Sequence, residues 1–121
     1  MIKAINAILI SSDNPTRLID FYTQIGIPLR TDDHGGGIHA EADFGDVHFA
    51  IWGGGKPTSV KSNVTFSLHV PNLEEYYENL MQKGIEFDHP PKSVPFGGVI
   101  AGLTDPDGNR LVLMRWDSEK K

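Results

Sequence analysis

The chain has 121 residues, 39% of them hydrophobic and 22% charged, a composition typical of one soluble globular domain. Its net charge of −5, with lysine and arginine scattered along the chain, argues against nucleic-acid binding. The absence of cysteine excludes disulfides and thiolate chemistry and fits a cytoplasmic protein. The single apolar run near the start is too short to predict a membrane span.

The first half of the chain predicts one strand, one helix and three further strands. Asn14 and Pro15 are typical of a helix start, and Gly26 is typical of a helix end. The helix presents an apolar stripe formed by Leu18, Phe21, Tyr22 and Ile25. The predicted strands are Lys3–Ile10, Pro28–Asp32, Ile38–Phe44 and Val47–Trp52, the last two joined by a tight turn at Gly45 and Asp46.

The second half repeats this order. Asn72 lies 58 residues after Asn14, and Gly84 lies 58 residues after Gly26. An apolar helical stripe lies between Asn72 and Gly84. That stripe comprises Leu73, Tyr76, Tyr77, Leu80 and Met81. The predicted strands are Asn63–Val70, Ile85–Asp88, Gly98–Thr104 and Arg110–Trp116, with a turn at Asp105–Gly108. The proline-rich segment His89–Gly98 is interpreted as a long irregular loop that is either a lid or a plain crossover.

These elements predict an α+β fold, a single domain over residues 1–121 made of two βαβββ modules. Module one spans about residues 3–52, a linker covers 53–61, and module two spans about 62–116. One such module cannot bury its own apolar face, so we expect the two to pack together and form a groove.

Strand alternation indicates which side chains face this groove. Val47, Phe49 and Ile51 are expected to face the helix, with Ala40, Ala42 and Phe44 beside them and Val64, Phe66, Leu68 and Val70 in the second module. A two-residue turn places Asp43 opposite His48 and Glu41 opposite Ala50. The predicted ligand-binding residues are His39, Glu41, His48, Trp52, Thr65, Ser67, Phe96, Arg110 and Met114.

Several of these residues have more than one interpretation. His39, Glu41, Asp43 and His48 form either a non-standard metal site, an acid–base pair or a structural pair on an exposed hairpin. Trp52 and Trp116 are either stacking surfaces for a planar ligand or side chains that seal a sheet edge or a dimer contact. Arg110 is either an anion clamp or a solvated charge.

Two sequence features resemble the vicinal oxygen chelate superfamily, which includes glyoxalase I, bleomycin-resistance proteins, extradiol dioxygenases and fosfomycin-resistance enzymes. One is Asp20-Phe21-Tyr22 before Ile25-Gly26, and the other is the closing segment Val99–Leu113 with its Asp-Pro-Asp-Gly-Asn turn. The resemblance implies a fold of paired βαβββ modules, a groove that holds small molecules and a homodimer. One scaffold of this kind hosts many functions.

The resemblance also implies where a metal enzyme of the superfamily would hold its ion. The four corresponding positions are Ala7, Ala50, Thr65 and Val112, none of which is a strong donor. We therefore expect no cofactor, no tightly bound divalent metal and a bleomycin-resistance-like function: binding, and in some cases sequestering, a small organic molecule. The alternatives are a metal-dependent lyase or dioxygenase, a metal-free isomerase or epimerase using His48, and a dimerising interaction domain. We expect neither nucleic acid nor membrane as a partner.

Overall fold

The computed structural model describes residues 1–31, 39–54 and 63–119, which divide between two compact units, Met1–Ser59 and Val60–Lys121. The first unit contains β1 (Ala7–Ser11), α1 (Pro15–Gln24), β2 (Arg30–Thr31), β3 (His39–Phe44) and β4 (Val47–Trp52). The second contains β5 (Thr65–His69), α2 (Leu73–Gln82), β6 (His89–Val94), β7 (Gly98–Thr104) and β8 (Arg110–Trp116). The predicted α+β fold of two βαβββ modules is confirmed.

Each unit folds its strands into one four-stranded sheet. The strand orders are β1-β4-β3-β2 and β5-β8-β7-β6. In each sheet the first strand along the chain pairs in parallel with the last, β1 with β4 and β5 with β8, and the other pairs are antiparallel. The predicted bounds of β4, β7 and β8 are confirmed, whereas β1 begins only at Ala7 and β2 is reduced to Arg30–Thr31. Asp32 and Ile38, and most of the expected linker, lie outside the described residues.

The helix of the first unit begins and ends where the sequence indicates. The Asn14 side chain accepts a hydrogen bond from the backbone N–H of Arg17 at 3.2 Å, and Gly26 takes a φ of 113° after the last turn. Leu18 and Tyr22 are fully buried against the sheet, and the Tyr22 ring packs edge-on against Phe49 at 5.2 Å. This contact occupies the helix-facing side of the first sheet.

The helix of the second unit buries a narrower stripe than expected. Leu73 and Leu80 are buried, whereas Met81 is 45% exposed, so its assignment to the core was wrong. Tyr77, one turn earlier on the helix, packs edge-on against Phe87 at 4.7 Å. Two further residues predicted to be core are also exposed, Phe44 at the end of β3 and Val64 just before β5.

The prediction for residues 85–98 was wrong, because the strand in this segment is His89–Val94 and Ile85–Asp88 is not a strand. β6 pairs antiparallel with β7 at the sheet edge, and its register shifts between His89 and Lys92. Pro90 and Pro91 lie within that shift, where the missing N–H of proline interrupts no regular ladder. The segment is thus half of a hairpin and not an irregular loop.

The turn before β8 is organised by a buried carboxylate. Asp105 is 3% exposed, and its carboxylate accepts hydrogen bonds from the backbone N–H groups of Asp107 and Asn109, both at 2.9 Å, and from the Asn109 amide at 3.0 Å. Gly108 takes a φ of 90°, as the turn pattern predicts. No helix in the described ranges is long and apolar enough to cross a membrane.

Candidate functional site

One face of the first sheet gathers polar and aromatic side chains, and the opposite face packs on α1. Along β3, the alternation places His39, Glu41 and Asp43 on the same face. The β3–β4 register sets His39 opposite Trp52 and Asp43 opposite His48, which confirms the predicted pairing. Ala40, Ala42, Phe49 and Ile51 point the other way and are buried.

His48 lies between two carboxylates on this face. Its Nδ1 is 2.8 Å from Asp43 Oδ1, and its Nε2 is 3.2 Å from Glu41 Oε1. The Glu41 side chain is 15% exposed and the His48 side chain 34%, so the contact with Glu41 is partly shielded from water. This arrangement orients the imidazole ring at both nitrogens.

Arg30 completes the charged cluster from the neighbouring strand. Its Nη2 donates a hydrogen bond to Asp43 Oδ2 at 2.9 Å and lies 3.8 Å from Glu41 Oε1. The hydrogen bond with His48, followed by that with Arg30, holds the pKa of Asp43 below its ordinary value. The carboxylate of Asp43 is therefore ionised at neutral pH.

His39 and Trp52 form the aromatic end of the same face. Their rings stack at a centroid distance of 4.0 Å with 17° between the planes. His39 is 4% exposed, whereas 39% of Trp52 is accessible to solvent. The pair therefore joins a buried imidazole to an accessible indole surface.

The remaining predicted ligand-binding residues belong to the second unit. The β5–β8 register places Thr65 opposite Arg110 and Ser67 opposite Val112, with Met114 further along the same face of β8. Met114 is 7% exposed, and its methyl group lies 2.6 Å from the point that a Cβ on Gly98 would occupy.

Phe96 and a surface depression lie elsewhere on this unit. Phe96 is at the tip of the β6–β7 hairpin, 63% exposed and edge-on to Trp116 at 6.4 Å. A shallow depression of about 480 Å³ is bordered by Tyr77, Met81 and Phe87, together with the chain from Gly84 to Pro90. None of the predicted ligand-binding residues lines it, so it provides no support for that set.

The four positions at which the family resemblance implies metal ligands do not offer donors that fit an ion. Ala7 and Ala50 have no donor atoms in their side chains, nor does Val112. Thr65 offers one hydroxyl, a weak ligand for a transition metal. A metal held in the usual way would lack its protein ligands, so no chemistry is assigned to those positions.

Comparison with known proteins agrees with this arrangement of paired modules. The family model of the Glyoxalase/Bleomycin resistance protein/Dioxygenase superfamily matches residues 4–113. The chain belongs to this superfamily. None of the curated proteins matches the chain in sequence.

Solved structures share the fold at low sequence identity. A glyoxalase/bleomycin resistance protein/dioxygenase from Nocardioides is 20% identical, with all of this chain and 88% of that one aligned at a TM-score of 0.73. A glyoxalase family protein from Bacillus anthracis is 18% identical over 96% of this chain and 97% of that one, at a TM-score of 0.75. TioX from Micromonospora sp. ML1 is 18% identical over 94% of this chain and 99% of that one, at a TM-score of 0.68.

Proposed function

We propose that the chain binds a small, flat and partly polar organic molecule on the polar face of the first sheet. The observation that carries this proposal is the juxtaposition of an accessible indole, Trp52, with the Glu41–His48–Asp43 cluster on one face. An aromatic surface beside a few fixed polar groups is the usual make-up of a small-molecule site. Its function is binding without turnover, as sequestration requires.

Each part of this face has a distinct role. Trp52 presents an indole already held parallel to His39, so a planar ligand can stack without first ordering a loose side chain. Glu41 and Asp43 accept hydrogen bonds, and Arg30 donates them to an anionic or carbonyl group. A ligand with a planar ring and polar substituents can stack on Trp52 and hydrogen-bond with the charged cluster at the same time.

The predicted ligand-binding residues of the second unit are a separate prediction. Thr65, Ser67 and Arg110 offer hydroxyl groups and a cation, and Phe96 and Met114 offer apolar surface. Their part in binding remains a prediction that variants of each can test.

Tryptophan fluorescence tests the ligand site directly, because the chain has two tryptophans. In a Trp116→Phe protein, Trp52 is the sole indole, and we expect flat aromatic metabolites and antibiotics to quench it saturably in buffer containing EDTA. Trp52→Ala in the parent protein should weaken binding of those ligands at least roughly fivefold, since stacking on an aromatic contributes about 1 kcal/mol or more. Mass spectrometry after incubation should recover the ligand unchanged.

Trp116→Ala is the matched control, since Trp116 ends β8 as Trp52 ends β4. It should leave the affinity within about twofold of the parent. Ligands whose affinity is indifferent to both Trp52→Ala and His48→Ala would place the site elsewhere. Recovery of a chemically altered ligand would show that the protein catalyses a reaction and does not merely sequester the ligand.

We further propose that the chain forms a homodimer, which the family resemblance implies. Multi-angle light scattering at micromolar concentration should give twice the mass of one chain. A monomer mass across that concentration range would contradict the proposal.

A further inference from the structure

The contact between His48 and Glu41 places an imidazole nitrogen 3.2 Å from a carboxylate oxygen, which requires a positive charge on or beside the pair. A neutral imidazole carries one N–H. If that N–H is on Nδ1 and is donated to Asp43 at 2.8 Å, the lone pair of Nε2 faces the Glu41 carboxylate oxygen at 3.2 Å. Two acceptors at this distance repel each other unless a positive charge lies between them.

We propose that this charge is a divalent transition-metal ion, with Zn²⁺ as the representative, bound by His39, Glu41 and His48. Two imidazoles and one carboxylate are a donor set that suits Zn²⁺ and neighbouring first-row ions. The proposal goes beyond the small-molecule function and does not depend on it. It also lies outside the positions usual for metal in this superfamily, since His39 and Glu41 are on β3.

Two of the three donors already have the spacing that a metal ion requires. The candidate donor atoms of the three residues lie within 4.8 Å of one another, whereas donors around a tetrahedral zinc ion are about 3.4 Å apart at typical bond lengths. Glu41 and His48 already meet this spacing at 3.2 Å. Closure therefore requires a modest approach between the His39 ring and this pair.

The neighbouring groups support a metal in two ways. Asp43 accepts from His48 Nδ1, which fixes the ring and directs Nε2 toward the ion, the usual carboxylate–histidine–metal arrangement. The charges of Glu41, Asp43 and Arg30 leave one net negative charge on the cluster, which attracts a dication. Three protein donors leave coordination positions for water or for a ligand oxygen.

The competing arrangement is an imidazolium at His48 that donates to both carboxylates. It needs no ion, and the same distances accommodate it. Metal titration of the tag-free protein, stripped with EDTA and measured without any organic ligand, separates the two. A failure of the organic-ligand screen leaves this measurement unaffected.

We expect calorimetry with ZnCl₂ to show one saturable site per chain and CoCl₂ to give visible ligand-field bands. Glu41→Gln and His48→Ala should weaken Zn²⁺ binding more than about 100-fold, and Asp43→Asn by roughly 10–100-fold, as is typical when a metal-orienting carboxylate is removed. His69→Ala is the matched control and should change nothing. His69 also contacts a carboxylate, Glu119 at 2.8 Å, but belongs to no three-donor cluster among the described residues.

Because His39 is buried, circular dichroism must first show that the His39→Gln variant is folded. Nitrogen-15 spectra of the wild-type histidine rings provide a measurement that needs no variant. Zn²⁺ should shift the ring nitrogens of His39 and His48 and leave those of His69 in place. Three results would overturn the proposal: no saturable binding, binding that survives both Glu41→Gln and His48→Ala, or a His48 ring that stays protonated at both nitrogens when Zn²⁺ is added.

Discussion

Replacing Asp105 with alanine should lower the free energy of unfolding by about 2–4 kcal/mol, because hydrogen bonds to a charged group each contribute about 1.5–3 kcal/mol and water replaces part of the loss. The buried carboxylate accepts three hydrogen bonds within the turn that leads into β8. Without it, two backbone N–H groups and the Asn109 amide lose their acceptor. Urea unfolding monitored by circular dichroism measures the change.

Asp46→Ala is the control for this prediction. Asp46 is an exposed acidic residue in the hairpin turn of the first unit, and its removal should change stability by less than about 0.5 kcal/mol. Asp105→Asn should fall between the two, since an amide oxygen can still accept from the backbone but an amide nitrogen cannot accept from Asn109. Equal stabilities for the two alanine variants would show that the Asp105 network contributes nothing.

Phe49→Ala should destabilise the protein by about 3–5 kcal/mol, the usual cost of emptying a buried phenylalanine site. Phe49 is 1% exposed, lies between His48 and Ala50 on β4 and packs on Tyr22 of α1. Its burial is the reason that His48 points to the opposite face. Differential scanning calorimetry and urea unfolding both measure the loss.

Phe44→Ala provides the comparison within the same hairpin. Phe44 is 44% exposed at the end of β3, and its truncation should cost well under half as much as that of Phe49. If Phe44→Ala were the more damaging variant, the assignment of the two faces of the first sheet would be wrong. The candidate site on the other face would then lose its basis.

Much of the candidate site could be predicted from local pattern. The period of two along β3 and β4, together with the two-residue turn at Gly45 and Asp46, determines that Asp43 faces His48. If the pairing of β3 and β4 shifted by one residue, Phe49 would face solvent, so the burial of Phe49 stabilises the observed register. The three candidate metal donors were therefore recognised as neighbours, although the sequence left open whether they serve chemistry.

The partner of Asp43 on β2 could not be found in this way. Arg30 reaches Asp43 only because β2 pairs with β3, and no periodic signal relates the two residues. The ion pair of Glu74 with Arg115 is similar, since 41 residues separate its members and the folding of α2 onto the sheet brings them together. Such contacts depend on how elements pack.

The sequence by itself determined the two βαβββ modules, because helix stripes, capping residues and tight turns are local properties whose energetics depend on nearby residues. The tertiary structure decided where β6 lies, because pairing with β7 at a sheet edge outweighs the low strand preference of Pro90 and Pro91. It also decided the charge environment of His48, since Glu41 on β3 lies 3.2 Å from its Nε2 and Arg30 on β2 binds Asp43, its other partner. Local pattern thus sets the face a side chain occupies, and packing between strands sets the atoms it meets.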